Sequence, residues 1–508
     1  MDAAEEHIVM LPLMAHGHLI PFLALARQIH QTTNFTITIA TTPLNTAYLR
    51  SAVSSDPTLS HSPRLRLAAL PFNSSDHNLP PNTENTESLP LNQIINLFHS
   101  SAALEPPSHR LVADIAAQEG RPPICIVSDV FNGWASRVAE RINTTNVCFS
   151  TGGAYGTAAY MSVWLNLPHK FTDTDEFPVP GFPDSCRFHR SMLHQFIRAA
   201  DGSDSWSRFF QTQISLSLRS SGWLCNTAEE VEVSGMEILR KYIGKPVWSI
   251  GPLLPPAMLN SNSSTLTQHS GKESGISTQK CIEWLDSKPK SSVVYISFGS
   301  QNTISSSQMM ELAKGLEQSG KPFIWVVRPP VGFDQKGEFR SEWLPEGFED
   351  RVLDGKQGLL VRKWAPQLEI LQHKSTAAFL SHCGWNSAME GLSQGVPIIG
   401  WPLAAEQAYN AKMMVDEMGV CVELARGVGS GVEAEEVRKV VELVTEEGGK
   451  GGEMKRKAVE IGETMKAAMR EEGGRKGSSL KAMDDFVSAI VSTAAERGRR
   501  RSNGVATG

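Results

Sequence analysis

Short apolar runs alternate with helix-patterned segments along the whole chain, and that alternation leaves few architectures open. Ile8–Leu11, Phe35–Ala40, Leu65–Leu70, Ile124–Ser128, Val147–Ser150 and Trp223–Asn226 read as buried strands, with a helix over about Leu19–His30 after the first. A second series follows at Val293–Ser297, Phe323–Val327, Leu359–Val361, Ala377–Leu380, Pro397–Gly400 and Val420–Leu424. Within it, Met309, Leu312, Ala313 and Leu316, and later Val437, Val440, Val441 and Val444, keep the i, i+3, i+4, i+7 spacing of half-buried helices. Parallel strands need crossover connections, so this alternation reads as doubly wound α/β sheets. A Ser-, Asn-, Thr- and Gly-rich stretch parts the two series. The expected organisation is an N-terminal α/β domain over 1–254, a linker over 255–278, a C-terminal α/β domain over 279–478, a terminal helix over 479–495 and a disordered tail over 496–508. Two such domains facing each other enclose a cleft, and ligands favour the carboxyl ends of their strands.

The 508 residues, 41% hydrophobic and 20% charged, supply two sizeable cores. A net charge of −6, from 48 basic and 54 acidic residues, argues against a nucleic-acid partner, which wants a basic stripe. The cluster Arg497, Arg499, Arg500 and Arg501 reads as a solvated terminus. Seven singly spaced cysteines, with no CxxC pair, fit neither a disulfide framework nor a zinc site and suit a reducing compartment. The acidic N-terminus lacks the basic start of a signal peptide, and the early run Ile8–Ala15 is broken by Pro12 and too short to span a bilayer. The expectation is a cytoplasmic monomer without integral membrane association.

Two motifs are decoys. Gly315 to Pro322 nearly matches a P-loop, but Pro322 stands where a Ser or Thr would hold magnesium, and the segment ends a helix instead of opening one. Gly427-Val-Gly429-Ser-Gly431 lacks the third glycine of the dinucleotide fingerprint and does not open directly from a strand.

The informative stretch is Trp364 to Gln407, WAPQLEILQHKSTAAFLSHCGWNSAMEGLSQGVPIIGWPLAAEQ. Ser381 to Ser387 forms the turn after the strand Ala377–Leu380, and Asn386–Ser393 starts a helix. Gly384 permits a tight turn, and Asn386 and Ser387 are good N-cap residues. A helix N-terminus after a strand offers free N–H groups and a positive dipole end, and His382 adds a donor at its mouth. That is a diphosphate cradle without a Walker lysine, although a plain structural turn has the same local pattern.

The whole stretch resembles the nucleotide-sugar signature of plant secondary-product UDP-glycosyltransferases, at that signature's full length. The resemblance extends to Trp284-Leu-Asp-Ser-Lys-Pro289, Val293–Ser300 (VVYISFGS), Asn226-Thr-Ala-Glu-Glu-Val-Glu232 and the N-terminal GHLIP. It implies two Rossmann-like domains facing across a cleft, the GT-B fold, with UDP-sugar on the C-terminal domain, acceptor on the N-terminal domain, and a terminal helix returning to the latter. It implies that Trp364 stacks on uracil with Ala365 and Gln367 beside it, and that Glu390 accepts from the ribose hydroxyls. His382, Asn386, Ser387 and Ser300 would contact the diphosphate, Trp385 would touch the sugar, and Glu406 and Gln407 would hold its hydroxyls. Many members carry Asp where this chain has Glu406, which keeps an acceptor with a longer reach. Gln at the final position goes with glucose.

His18 lies where the first strand gives way to the first helix. Transfer to a neutral hydroxyl needs a base with pKa near neutrality, and imidazole is the natural one. Asp129 ends another N-terminal strand at the same sheet edge, where it can fix the tautomer and stabilise the imidazolium. The resemblance assigns these roles to His18 and Asp129, and none to His16. The expected reaction is inverting glucosyl transfer from UDP-glucose to a hydroxyl of a small apolar acceptor, a flavonoid, other phenolic or terpenoid, without metal or further cofactor. A C or N acceptor atom, another UDP-sugar, and a catalytically silent UDP-sugar binder are the rival readings. Phe131, Trp134, Tyr160, Trp164, Phe196 and Trp206 are candidates for the acceptor pocket, each equally compatible with core packing.

Overall fold

The computed structural model describes residues 6–56, 58–259, 275–335 and 337–505. Two parallel sheets organise it. The first contains β1 (His7–Leu11), β2 (Thr36–Thr41), β3 (Leu65–Ala69), β4 (Cys125–Asp129), β5 (Thr145–Ser150), β6 (Trp223–Cys225) and β7 (Val247–Ser249), in the order β3-β2-β1-β4-β5-β6-β7. The second contains β8 (Val293–Ser297), β9 (Phe323–Val327), β10 (Gly358–Arg362), β11 (Thr376–Ser381), β12 (Ile398–Gly400) and β13 (Cys421–Glu423), in the order β10-β9-β8-β11-β12-β13. Strands β1, β4, β5, β8 and β11 are buried at every position, as strands covered by helices on both faces must be. The edge strand β3 is half-exposed.

In each sheet the crossovers leave the first strand on one side and return on the other. The reversal falls between β1 and β4, where Leu11 pairs with Ser128, and between β8 and β11, where Ser297 pairs with Ser381. Crevices open at such switch points, beyond the carboxyl ends of the strands. This is the doubly wound, two-domain architecture read from the sequence.

Five helices position the site: α1 (His16–Thr32), α2 (Ala154–Asn166), α3 (Trp385–Ser393), α4 (Gln407–Asp416) and α5 (Ser478–Val505). Helix α1 starts three residues before the expected Leu19, so His18 stands in its first turn. Strand β7 and two hairpins, Glu176–Pro178 with Arg187–His189 and Glu471–Glu472 with Arg475–Lys476, have no counterpart in the sequence reading. Each has at most three residues per strand, too few to show a period. The near P-loop segment closes the helix Ser306–Ser319, with Gly320 as a left-handed C-cap at φ 62°.

The terminal helix differs from expectation. It was expected to stop near 495 before a disordered tail over 496–508, but α5 continues through these residues to Val505. Met483, Phe486 and Ile490 are buried with Ile8, Leu224 and Ile250 in the N-terminal core. Arg497, read as part of a solvated terminus, donates to the Ile124 carbonyl at 3.0 Å, which ties the extension to the sheet. Of the expected linker, Pro256–Leu259 is a short helix and Ser277 caps the helix Thr278–Asp286, while 260–274 lie outside the described residues.

Candidate functional site

The N-terminal half of the site comes from β1 and β4. Asp129, the last residue of β4, is fully buried, and its Oδ1 accepts from the Phe131 N–H at 3.0 Å. Its Oδ2 lies 2.6 Å from His18 Nδ1. A carboxylate acceptor places the ring proton on Nδ1 and leaves the Nε2 lone pair free. The His18 side chain is 22% exposed, and among the described residues Nε2 has no hydrogen-bond partner. Burial lowers the His18 pKa, but the charge of Asp129, its hydrogen bond and the charge of Glu406 outweigh burial and raise it above 6.5. Thr151 Oγ1, absent from the sequence reading, lies 3.3 Å from the same Nδ1. His16 is buried, stacked 4.3 Å from Tyr48, with its Nδ1 3.4 Å from Glu87.

Pro21, inside α1, cannot donate to the carbonyl four residues back, that of Gly17. Asn386 Nδ2, from the other domain, donates to that Gly17 carbonyl at 3.1 Å. The helix break beside His18 is thus filled across the cleft. Asn386, expected to contact diphosphate, gives one of its two side-chain N–H donors to this bridge, and the second N–H and its backbone N–H remain for an anion.

The C-terminal half is built at the ends of β8, β9 and β11. Helix α3 starts at Trp385 with Gly384 as N-cap, so Asn386 and Ser387 sit inside its first turn and do not cap it. No side chain caps this end, and its first N–H groups stay open for a ligand. His382 packs beside Gly299, whose φ is +74° and where any Cβ would come within 2.6 Å of His382 Nε2. That close approach brings the Ser300 loop onto His382. Burial and then the charge of Arg328 push the His382 pKa down to about 4, so the ring is neutral, and its buried Nδ1 has no partner among the described residues.

Behind this mouth lies a polar shelf. Gln367 Nε2 donates to Glu390 Oε2 at 2.5 Å and to Ser387 Oγ at 3.2 Å, and its Oε1 accepts from Tyr295 at 3.1 Å. Burial pushes the Glu390 carboxyl up to about 7 against the Gln367 hydrogen bond. Trp364 is half-buried at the exit of β10, and Ala365 is buried beside it, its carbonyl accepting from Gln367 N–H at 2.8 Å.

Two expectations change at the sugar end. Trp385 is 2% exposed, and its indole N–H donates to the Asn226 carbonyl of the other domain at 2.7 Å. It wedges the two domains together, leaving its backbone N–H to the ligand side. Gln407 Oε1 accepts from the Leu403 and Ala404 N–H groups, both at 2.9 Å, so only its NH2 is left for a sugar. Glu406 accepts from Asn410 at 3.3 Å; burial raises its carboxyl pKa, with the charge of His18 opposing.

Of the candidate acceptor aromatics, Phe131 stands 6.0 Å from the His18 ring and Tyr160 6.0 Å from Phe131, both half-buried. Trp134 and Trp164 are core residues, and Phe196 stacks on Trp206 at 4.3 Å. Phe210, not singled out in the sequence, is a core residue that backs Phe131 at 5.2 Å and stacks on Trp164 at 4.6 Å. Asn226 and Glu232, the two ends of the Asn226–Glu232 segment, are structural: the Glu232 carboxylate accepts from the Ala154 and Tyr155 N–H groups at 2.9 and 3.0 Å, capping α2. Among the described residues, no helix is long and apolar enough to cross a membrane, and no three or more His, Cys, Asp and Glu side chains gather as a metal site.

Two doubly wound domains, one bearing the His18–Asp129 pair and the other the uncapped N-terminus of α3, form the GT-B fold of glycosyltransferases. Residues 226–445 match the family described as UDP-glucoronosyl and UDP-glucosyl transferase, and residues 5–255 match the glycosyltransferase N-terminal domain. The chain is 46% identical to crocetin glucosyltransferase 3 of Crocus sativus over 87% of its own length and 91% of the relative's. It is 41% identical to UDP-glycosyltransferase 92A1 of Arabidopsis thaliana, over 94% and 96% of the two chains. Its structure matches Glycyrrhiza uralensis UGT73P12, solved with glycyrrhetinic acid 3-O-monoglucuronide, at TM-score 0.82 and 26% identity, over 99% of each chain. The chain belongs to the plant secondary-product UDP-glycosyltransferase family and is a UDP-glycosyltransferase.

Proposed function

We propose that this enzyme moves glucose from UDP-glucose to a hydroxyl of a small apolar acceptor, in one inverting displacement with His18 as base and Asp129 as its partner. The observation that carries this reading is the 2.6 Å His18–Asp129 contact, which leaves Nε2 open to the cleft. The acceptor O–H gives its proton to Nε2 while its oxygen bonds to the anomeric carbon. The bond from that carbon to the diphosphate breaks on the opposite face, and UDP leaves with the electron pair. An α-linked donor gives a β-glucoside. Asp129 stabilises the imidazolium, and the α3 N–H groups, His382 and Ser300 meet the charge growing on the diphosphate. Trp364, Ala365, Gln367 and Glu390 would hold the uridine, and Glu406 and the Gln407 NH2 the sugar. The name of the Crocus sativus relative supports glucose, and the half-buried Phe131 and Tyr160 beside His18 support a flat or extended apolar acceptor of phenolic or terpenoid type. The enzyme is proposed to act as a monomer in the cytosol.

The test pairs mass spectrometry of products, from UDP-glucose and a phenolic and terpenoid panel, with a His18→Ala enzyme. Turnover of the variant should fall by roughly two to four orders of magnitude, the usual scale for a general base, while UDP binding holds. Near-normal turnover of His18→Ala on a weakly acidic hydroxyl overturns the assignment.

A further inference from the structure

Arg328 directly follows β9 and lies at the carboxyl end of the C-terminal sheet. Its Nη1 donates to the Ser300 carbonyl at 2.7 Å, and its Nη2 to the carbonyls of Gly299 and Asn302. All three acceptors belong to the loop leaving β8. One planar fork therefore sets the shape of the loop that carries Ser300 and packs against His382. The three carbonyls satisfy donors but not charge. Among the described residues no carboxylate stands within ion-pair distance of this guanidinium, and Glu87 of the other domain acts on it only as a more distant charge. Burial lowers its pKa to about 10, so it stays cationic at neutral pH. A desolvated cation without a counterion is costly, and a site that keeps one gains when an anion arrives. Two further observations point to the same spot. The buried His382 Nδ1 has no partner among the described residues, and the uncapped N-terminus of α3 opens beside it.

We propose that Arg328 is the positioning residue of the diphosphate cradle, shaping the 299–302 loop with its fork and supplying the positive charge that the diphosphate completes. The proposal rests on the UDP-sugar reading above and assigns Arg328 no direct contact with the nucleotide. Its influence grows as the leaving group gains charge, so it should appear in turnover as well as in binding.

The experiment compares UDP and uridine binding by calorimetry in the wild type, Arg328→Lys and Arg328→Met. In Arg328→Met, UDP affinity should fall about tenfold to a hundredfold, since both a nearby desolvated charge and the shape of the Ser300 loop are lost, while uridine affinity stays within about twofold. Arg328→Lys, which keeps the charge and loses the fork, should fall between. In Arg328→Met the KM for UDP-glucose should rise and kcat fall, and the His382 titration followed by NMR should move upward from about 4, because a like charge has gone. Should the Met variant fail to fold, Arg328→Lys with the same ligand pair carries the test, again with UDP losing more than uridine. Equal losses for both ligands, or none, overturn the proposal while leaving the UDP-sugar reading intact. A wild type that binds neither UDP nor UDP-glucose overturns that reading instead.

Discussion

At the scale of single residues, His18 makes the sharpest statement about pH. Burial alone would lower its pKa, yet Asp129 and Glu406 raise it above 6.5. Below that raised pKa the ring is imidazolium and cannot accept a proton. kcat/KM should therefore rise with pH through a midpoint above 6.5. Asp129→Asn removes the opposing charge but leaves the burial, so its midpoint should fall, and its plateau should drop by less than in His18→Ala. Paired pH–rate profiles check this, and an unmoved midpoint contradicts it. Donor choice is also a residue-scale matter. Glu406 offers acceptors and Gln407 only its NH2, because the amide oxygen is held by two backbone N–H groups. Galactose turns one hydroxyl axial and leaves a buried polar group unpaired, which costs about 1–3 kcal/mol. Glucuronate brings a carboxylate against Glu406. UDP-glucose should be preferred over both by at least about tenfold in kcat/KM, measured as initial rates with one good acceptor. A clear preference for either competitor refutes this.

Elements carry the site by their ends. Helix α2 packs on α4, which carries Gln407 in its first turn, and the N-terminus of α2 is held by Glu232, 2% exposed. Glu232→Ala leaves the Ala154 and Tyr155 N–H groups unpaired and should cost about 1–3 kcal/mol. For a domain of this size that lowers Tm by several degrees, roughly 2–4 °C per kcal/mol. Calorimetry reads it, and an unchanged Tm would show that water caps α2 equally well. The ends of α1 and α3 meet directly. Pro21 frees the Gly17 carbonyl and Asn386 fills it, so α1, which bears His18, and α3, whose N-terminus is uncapped, share one hydrogen bond. Both features lie in motifs visible in the sequence, but their partnership spans 369 residues and leaves no local trace.

At the scale of the molecule, the proposed cradle would set N–H dipoles, the neutral His382 and the Arg328 charge where many phosphate sites use a cation. Activity should survive excess EDTA, read as initial rates with and without chelator. Complete loss restored by magnesium or manganese would refute this. The sequence by itself determined the two doubly wound sheets, because fully apolar strands spaced by helix patterns can be buried only between helical layers. It also determined the contiguous stretch 364–407 and the meeting of His18 with Asp129, since both close strand–turn junctions of one sheet edge. Only the tertiary structure decided where side chains spend their hydrogen bonds. Trp385 turns into the interface toward Asn226, Gln407 turns its oxygen into its own turn, Arg328 gathers three carbonyls, and α5 extends past 495 on its bond to Ile124. The physical reason is that periodicity records which face is apolar. A buried polar group's partner is chosen by whichever donor or acceptor the folded chain brings within about 3 Å, commonly from another segment.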